Sequence, residues 1–291
     1  MRYDLRDMTR GNLWKQILVF SLPLMASNLL QVLFNMSDIA VVGQFAGSHA
    51  LGSVGSTATL AALYSGFLIG MGAGVNVAIA RSLGLGDDEQ LERTLHTSFL
   101  ICACAGLLVC LVCAGLAGPM LRMLHTKDEL IVSYLRIYAL GLPAMAIYNF
   151  GNGVLSASGD TKRPLIYLSV AGAVNVALNL FFVIVCNLAA TGVAIASAIA
   201  QCLSALLIVL HLLRRPDACR LQLSKLRFHR AECRRVLMIG IPSGLQNAIF
   251  AVANLFVQVG VNSFDAVMVS GNSAAANVND NVELISCLCC C

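Results

Sequence analysis

Asp38 is an acid where few are tolerated. It closes a polar series, Asn28, Gln31, Asn35 and Asp38, set in a run without Asp, Glu, Lys or Arg from Gln16 to Ser37, and none follows until Arg81. On a helix at 100° per residue these four share an arc of about 80°. Such a stripe is costly against lipid, so it must face other helices or a wet cavity. A charge at the bilayer centre costs about 2.5–3.5 kcal/mol on insertion scales. Withdrawing a carboxylate from water favours its neutral form. An acid whose hydration changes between two conformations can therefore take and release a proton, or exchange it for Na⁺. The alternative is an acid wet at the interface, or one that only staples helices through hydrogen bonds.

Other polar pairs repeat at one-turn spacing. They are Asn175 with Asn179 and Ser197 with Gln201, while Asn247, Asn254 and Gln258 form a similar series further on. Asn28, Gln31, Asn35, Gln201, Asn247, Asn254 and Gln258 are the expected cavity-lining set. The remaining acids fall in termini, loops, helix edges or the tail.

Enzymatic chemistry finds little support. Gly84-Leu-Gly-Asp87 matches a GxGD pattern and Tyr3-Asp4 offers a YD pair, as in an intramembrane protease, but both lie among loop charges. HExxH and GxSxG are absent. Of the twelve cysteines, Cys110-Leu-Val-Cys113 forms a CxxC without a second pair or histidine at zinc spacing. Cys102, Cys104, Cys110 and Cys113 read as small packing residues. No catalytic residue, metal ligand or cofactor is assigned.

The elements that must position these groups are membrane helices. Only 12% of the 291 residues are charged and 58% are hydrophobic, with mean hydropathy +0.80. Soluble domains carry about 25% charge. Crossing the hydrocarbon takes about 20 apolar residues. Seven runs qualify: 16–43, 52–80, 94–118, 132–156, 164–186, 192–213 and 236–264. Period-two alternation is lacking, which argues against an outer-membrane barrel. The first run is too long for a signal-peptide core. Sixteen of nineteen basic residues fall on alternate connections, which puts the N-terminus in the cytoplasm. The basic segment 214–235 reads as a cytoplasmic loop near anionic headgroups rather than a nucleic-acid site.

The first and seventh runs repeat each other without a gap. Leu18 meets Leu237, Pro23 meets Pro242, Asn28 meets Asn247, Asn35 meets Asn254 and Phe45 meets Phe264. Both enter from the same side, as in a transporter of two parallel lobes. The expected fold is all-α: a six-helix N-terminal lobe over 1–213, a basic connection over 214–235, the start of a second lobe over 236–278 and an aberrant Cys-rich tail over 279–291. Pro23 and Pro242 are candidate hinges, and Pro143 also permits a bend. Gly66, Gly70 and Gly74 form a ridge for close helix packing.

These residues resemble the multidrug and toxic compound extrusion (MATE) family from about Leu13 to Val278. The resemblance rests on Leu22-Pro23, Asn35-Met-Ser-Asp38 with Val42-Gly43, Gly84-Leu-Gly-Asp87, Gly153-Val-Leu-Ser-Ala-Ser-Gly-Asp160 and Asn175-Val-Ala-Leu-Asn179. It implies twelve helices in two lobes and antiport, in which H⁺ or Na⁺ entry drives export of small organic, often cationic compounds. It matches the family's coupling acid to Asp38, its fifth-helix asparagine to Asn175 and its sixth-helix hydroxyl to Ser197. Asn179 stands where some relatives have an aspartate, which tilts the expectation from Na⁺ toward H⁺. It implies a monomer in the inner membrane, in contact with lipid. About five helices of the second lobe are missing, and the tail reads as a frameshift or truncation. Two rivals stand beside transport. One is a lipid-linked precursor flippase, disfavoured because basic residues are scarce within the spans. The other is a non-functional fragment.

Overall fold

A computed structural model describes residues 13–45, 47–123, 129–186, 188–261 and Gly271. The tail 279–291 lies outside them. Seven long helices follow in order: α1 Leu13–Phe45, α2 Gly47–Leu85, α3 Asp88–Met123, α4 Glu129–Ala157, α5 Lys162–Leu180, α6 Ala189–Arg214 and α7 Arg230–Val261. Among the described residues there is no strand. The apolar runs fall on these helices, and several helices extend past them. α1, with 33 residues, is about 50 Å long, against about 30 Å of hydrocarbon. Among the described residues, five segments are long and apolar enough to span a membrane: Leu60–Leu85, Asp88–Pro119, Lys162–Val185, Ala190–Arg214 and Arg230–Asn254.

Two glycines make the turns on one side. Gly86, at φ 67°, ends α2 and donates to the Leu83 carbonyl at 3.1 Å. Asp87 then caps α3, its Oδ1 accepting the Gln90 N–H at 3.0 Å. Gly159, at φ 81°, ends α4. The Gly159 N–H reaches the Ser156 carbonyl and the Asp160 N–H reaches that of Leu155, at 3.0 and 2.9 Å, which is a Schellman closure. Asp87 is thus a helix cap at an exposed turn, which disposes of the GxGD reading.

α2 is the central helix, packed on α7, α4 and α3. Its glycine ridge explains the α7 contact. A Cβ on Gly70 would lie 2.2 Å from the Gly244 nitrogen, and one on Gly74 would lie 2.6 Å from that of Gly240. The two backbones touch because neither side carries a side chain there. One apolar cluster joins Met71, Ile79, Leu95, Phe150 and Ile208. A second joins Leu60, Leu68, Val109, Leu135 and Leu142. Cys102 and Cys113 are buried in these clusters, whereas Cys104 is exposed and Cys110 half-buried; all four are free thiols. Outward, Leu107, Leu108 and Leu111 on α3, with Ile249, Phe250 and Phe256 on α7, are open. That greasy exterior suits acyl chains.

Candidate functional site

A knob and a gap bring Asp38 to its partners. On α5, Gly172 leaves a gap that the Phe34 ring of α1 fills, since a Cβ there would lie 1.9 Å from the ring. Asp38 follows Phe34 by one turn, and Asn175 and Asn179 follow Gly172 on the same stretch of α5. Docking the phenyl ring therefore sets the carboxylate against both amides. Immediately after Asn179 the helix widens into a π-turn, Phe181–Val185. The Cys186 N–H closes it on the Phe181 carbonyl at 3.2 Å. Such turns recur at functional sites. Here it ends α5 and sends the chain into α6, where Gly192 sits against Phe182.

The four polar groups close a ring. The Asn179 amide donates to Asp38 Oδ1 and to Asn175 Oδ1 at 3.2 Å. The Asn175 amide donates to Ser197 Oγ at 3.3 Å. Ser197 Oγ donates to Asp38 Oδ2 at 3.4 Å. Asn175 and Asn179 are buried, and Asp38 and Ser197 are half-buried. The carboxylate thus receives one N–H and one O–H, and three helices meet on it. Asn179 Oδ1 is sealed from solvent with no hydrogen-bond partner. In a buried site an orphaned acceptor calls for a reason.

Sequence reasoning named all four ring members, and the structure brings them together. It missed Tyr134 and Tyr138 of α4, which lie within electrostatic reach of the carboxylate and stack with centroids 6.5 Å apart. Their one-turn spacing in an apolar helix was the available signal. It also missed Phe34 and Gly172.

The cavity-lining set disperses. Gln31 and Asn254 are exposed. Asn247 is engaged between helices, its amide donating to the Gly66 carbonyl at 3.1 Å, so it ties α7 to α2. The reason is the glycine ridge, which lets a short amide reach the neighbouring backbone. Gln201 is half-buried and hydrogen-bonded to Tyr138, with Oε1 sealed and unpartnered beside Gly141. The side chains of Asn28, Asn35 and Gln258 lie outside the described residues. Of the hinge candidates, Pro23 is buried and its carbonyl accepts from Ser27 Oγ at 2.9 Å, whereas Pro242 is exposed. Among the described residues no cluster of metal-ligating side chains occurs.

Comparison with known proteins follows this geometry. A family model described as MatE matches residues 23–181, more than half of the chain. The chain is 28% identical over 284 residues to the "probable multidrug resistance protein YpnP" of Bacillus subtilis, covering 96% of this chain and 63% of that protein. It is 22% identical to the multidrug export protein MepA of Staphylococcus aureus, covering 95% and 60% respectively. Among solved structures, a crystal structure of MATE in the bent conformation superposes with TM-score 0.81 at 24% identity, covering 88% of this chain and 58% of that one. The chain therefore spans about 60% of the length of these relatives.

Proposed function

Because the chain belongs to the MatE family, whose members are multi-pass membrane transporters rather than enzymes, we propose that it works in secondary active efflux. In this reading small organic compounds, cationic ones among them, leave by antiport with H⁺ through Asp38. The ring of Asp38, Asn179, Asn175 and Ser197 is the observation that carries it. A carboxylate between an amide N–H and a hydroxyl is solvated in its charged form. Once protonated, the acid needs an acceptor. A half-turn of the Asn179 amide would present Oδ1, the buried atom that now has no partner. The ring therefore has a bonding scheme for each protonation state, and exchange between them needs no other charged group.

Several features favour H⁺ over Na⁺. Asn179 turns an N–H, not its oxygen, to the carboxylate. Asn179 also adds no second negative charge. Transport itself would need motion that opens the ring to water on each side in turn. Pro23, one helical stretch before Asp38, is the proposed bend in α1. The positive-inside bias places the N-terminus in the cytoplasm.

Dye efflux from cells expressing the protein, wild type against Asp38→Asn, is the test. Loss of pH-driven export in the variant supports the reading. Equal export from both removes Asp38 from the mechanism.

A further inference from the structure

The connection between α6 and α7 is strapped down. It turns back across the start of α3, with Cys219 and Leu221 buried and the Leu221 N–H on the Leu212 carbonyl at 3.0 Å. Beyond Leu221 three side chains of α3 hold it. Thr97 Oγ1 accepts the His229 N–H and donates to the Arg227 carbonyl, both at 3.3 Å. Thr94 Oγ1 lies 3.1 Å from Glu232 Oε2, where α7 begins, its one proton shared with the Gln90 carbonyl at 2.8 Å. Between them His96, 2% exposed, uses both ring nitrogens. Nδ1 lies 2.7 Å from the Glu92 carbonyl oxygen. Nε2 accepts the Gln222 N–H at 3.1 Å.

That geometry fixes the ring's proton. A backbone amide only donates, so Nε2 must offer a lone pair. The proton of the neutral ring is then on Nδ1, directed at the Glu92 carbonyl. A second proton has one place to go, which is Nε2. There it would oppose the Gln222 N–H, donor against donor, and the contact would be lost.

We propose that His96 is a positioning residue that clasps the strap between α6 and α7 while neutral and releases it on protonation, so that cytoplasmic acidification loosens the link between the first six helices and the seventh. The surroundings supply no compensation for the added charge. On α3 the Glu92 carboxylate is bound to Lys225 Nζ at 2.7 Å. The strap contributes Lys225, Arg227 and His229, the last with Nδ1 3.4 Å from Thr97 Oγ1. α7 contributes Glu232, engaged by both Arg235 and Thr94. The turn before α3 contributes Asp87, which caps the helix through Gln90, and Asp88 stands near Cys219. Among the described residues no carboxylate is bonded to the imidazole. The buried Cys219 and Leu221 anchor the strap independently, so release is confined to the stretch after them.

Amide hydrogen exchange on the full chain in lipid nanodiscs tests the clasp. It compares pH 7.5 with pH 5.5. After correction for intrinsic rates, wild type should lose about tenfold protection around Gln222 at the lower pH. His229→Gln should behave like wild type, and His96→Gln, which does not titrate, should show no such loss. Equal protection at both pH values in wild type overturns the proposal, as does a His96→Gln chain that responds like wild type. Nitrogen-15 NMR of histidine-labelled wild type gives a second test that needs no variant. It should find His96 protonated at Nδ1 at pH 7.5. A proton at Nε2 instead overturns the proposal.

Discussion

α1 and α7 read as copies in sequence and behave oppositely in space. In the register that pairs Pro23 with Pro242 and Asn28 with Asn247, Phe34 falls opposite Ala253 and Asp38 opposite Val257. α1 joins its neighbour by inserting a ring into a gap, Phe34 into Gly172. α7 joins its neighbour by having no side chains at the contact, Gly240 and Gly244 lying on Gly74 and Gly70. The first mode leaves a polar group one turn away, aimed at α5 and α6. The second brings two backbones together, with one amide, Asn247, spent on the Gly66 carbonyl and no acid at the crossing. Val257, where the acid would be, is exposed. A repeat thus conserves the prolines and asparagines that shape a helix, while the residues that set its neighbours decide which copy carries chemistry.

The comparison can be broken in several ways. Val257→Asp restores the acid to α7 without its cage. It should cost insertion about 2.5–3.5 kcal/mol, read as a lower inserted fraction in a glycosylation-mapping assay. Unchanged insertion would mean that this end of α7 is already sheltered. Gly70→Ala should destabilise by about 1–3 kcal/mol through overpacking, seen as a lower melting temperature in detergent. Gly84→Ala, with nothing within 4 Å of its Cβ, should melt as wild type. Gly172→Ala should cost about 1–2 kcal/mol, because the Phe34 ring can swing aside, and should shift the infrared carboxyl band that Asp38→Asn removes. Restoring that band with Phe34→Ala in the same chain would show that the knob positions the acid. Asn247→Leu should cost least, about 0.6 kcal/mol for one interhelical hydrogen bond, measured by the same melts.

Much of the architecture was legible because membranes simplify the code. Apolar runs marked the helices. Gly86-Asp87 and Gly159-Asp160 marked two turns, since a left-handed cap followed by a short acid is a local signal. The ring of Asp38, Asn175, Asn179 and Ser197 was legible for a related reason: ionisable and amide groups in an apolar run must find one another. The Gly66 partner of Asn247 was not legible because an amide facing a cavity and an amide bonding a neighbouring backbone share one helical position. The choice between them lay on α2, in glycines 181 and fewer residues away in sequence. Phe34 was missed because one apolar residue among many carries no mark until Gly172 is seen opposite. The Thr94, His96 and Thr97 contacts were invisible for the same reason, as their partners, the Glu232 carboxylate and two backbone amides, are more than a hundred residues distant.

A cage with a single ionisable member also sets a thermodynamic ceiling on export. If Asp38 couples export as proposed, each cycle through this lobe returns at most one elementary charge to the cytoplasm. One charge falling through 100 mV yields about 2.3 kcal/mol, and one pH unit adds about 1.4 kcal/mol. Together these would sustain a gradient of about 500-fold for a neutral drug. For a monovalent cation carried outward the electrical part cancels, leaving about tenfold from the pH step alone.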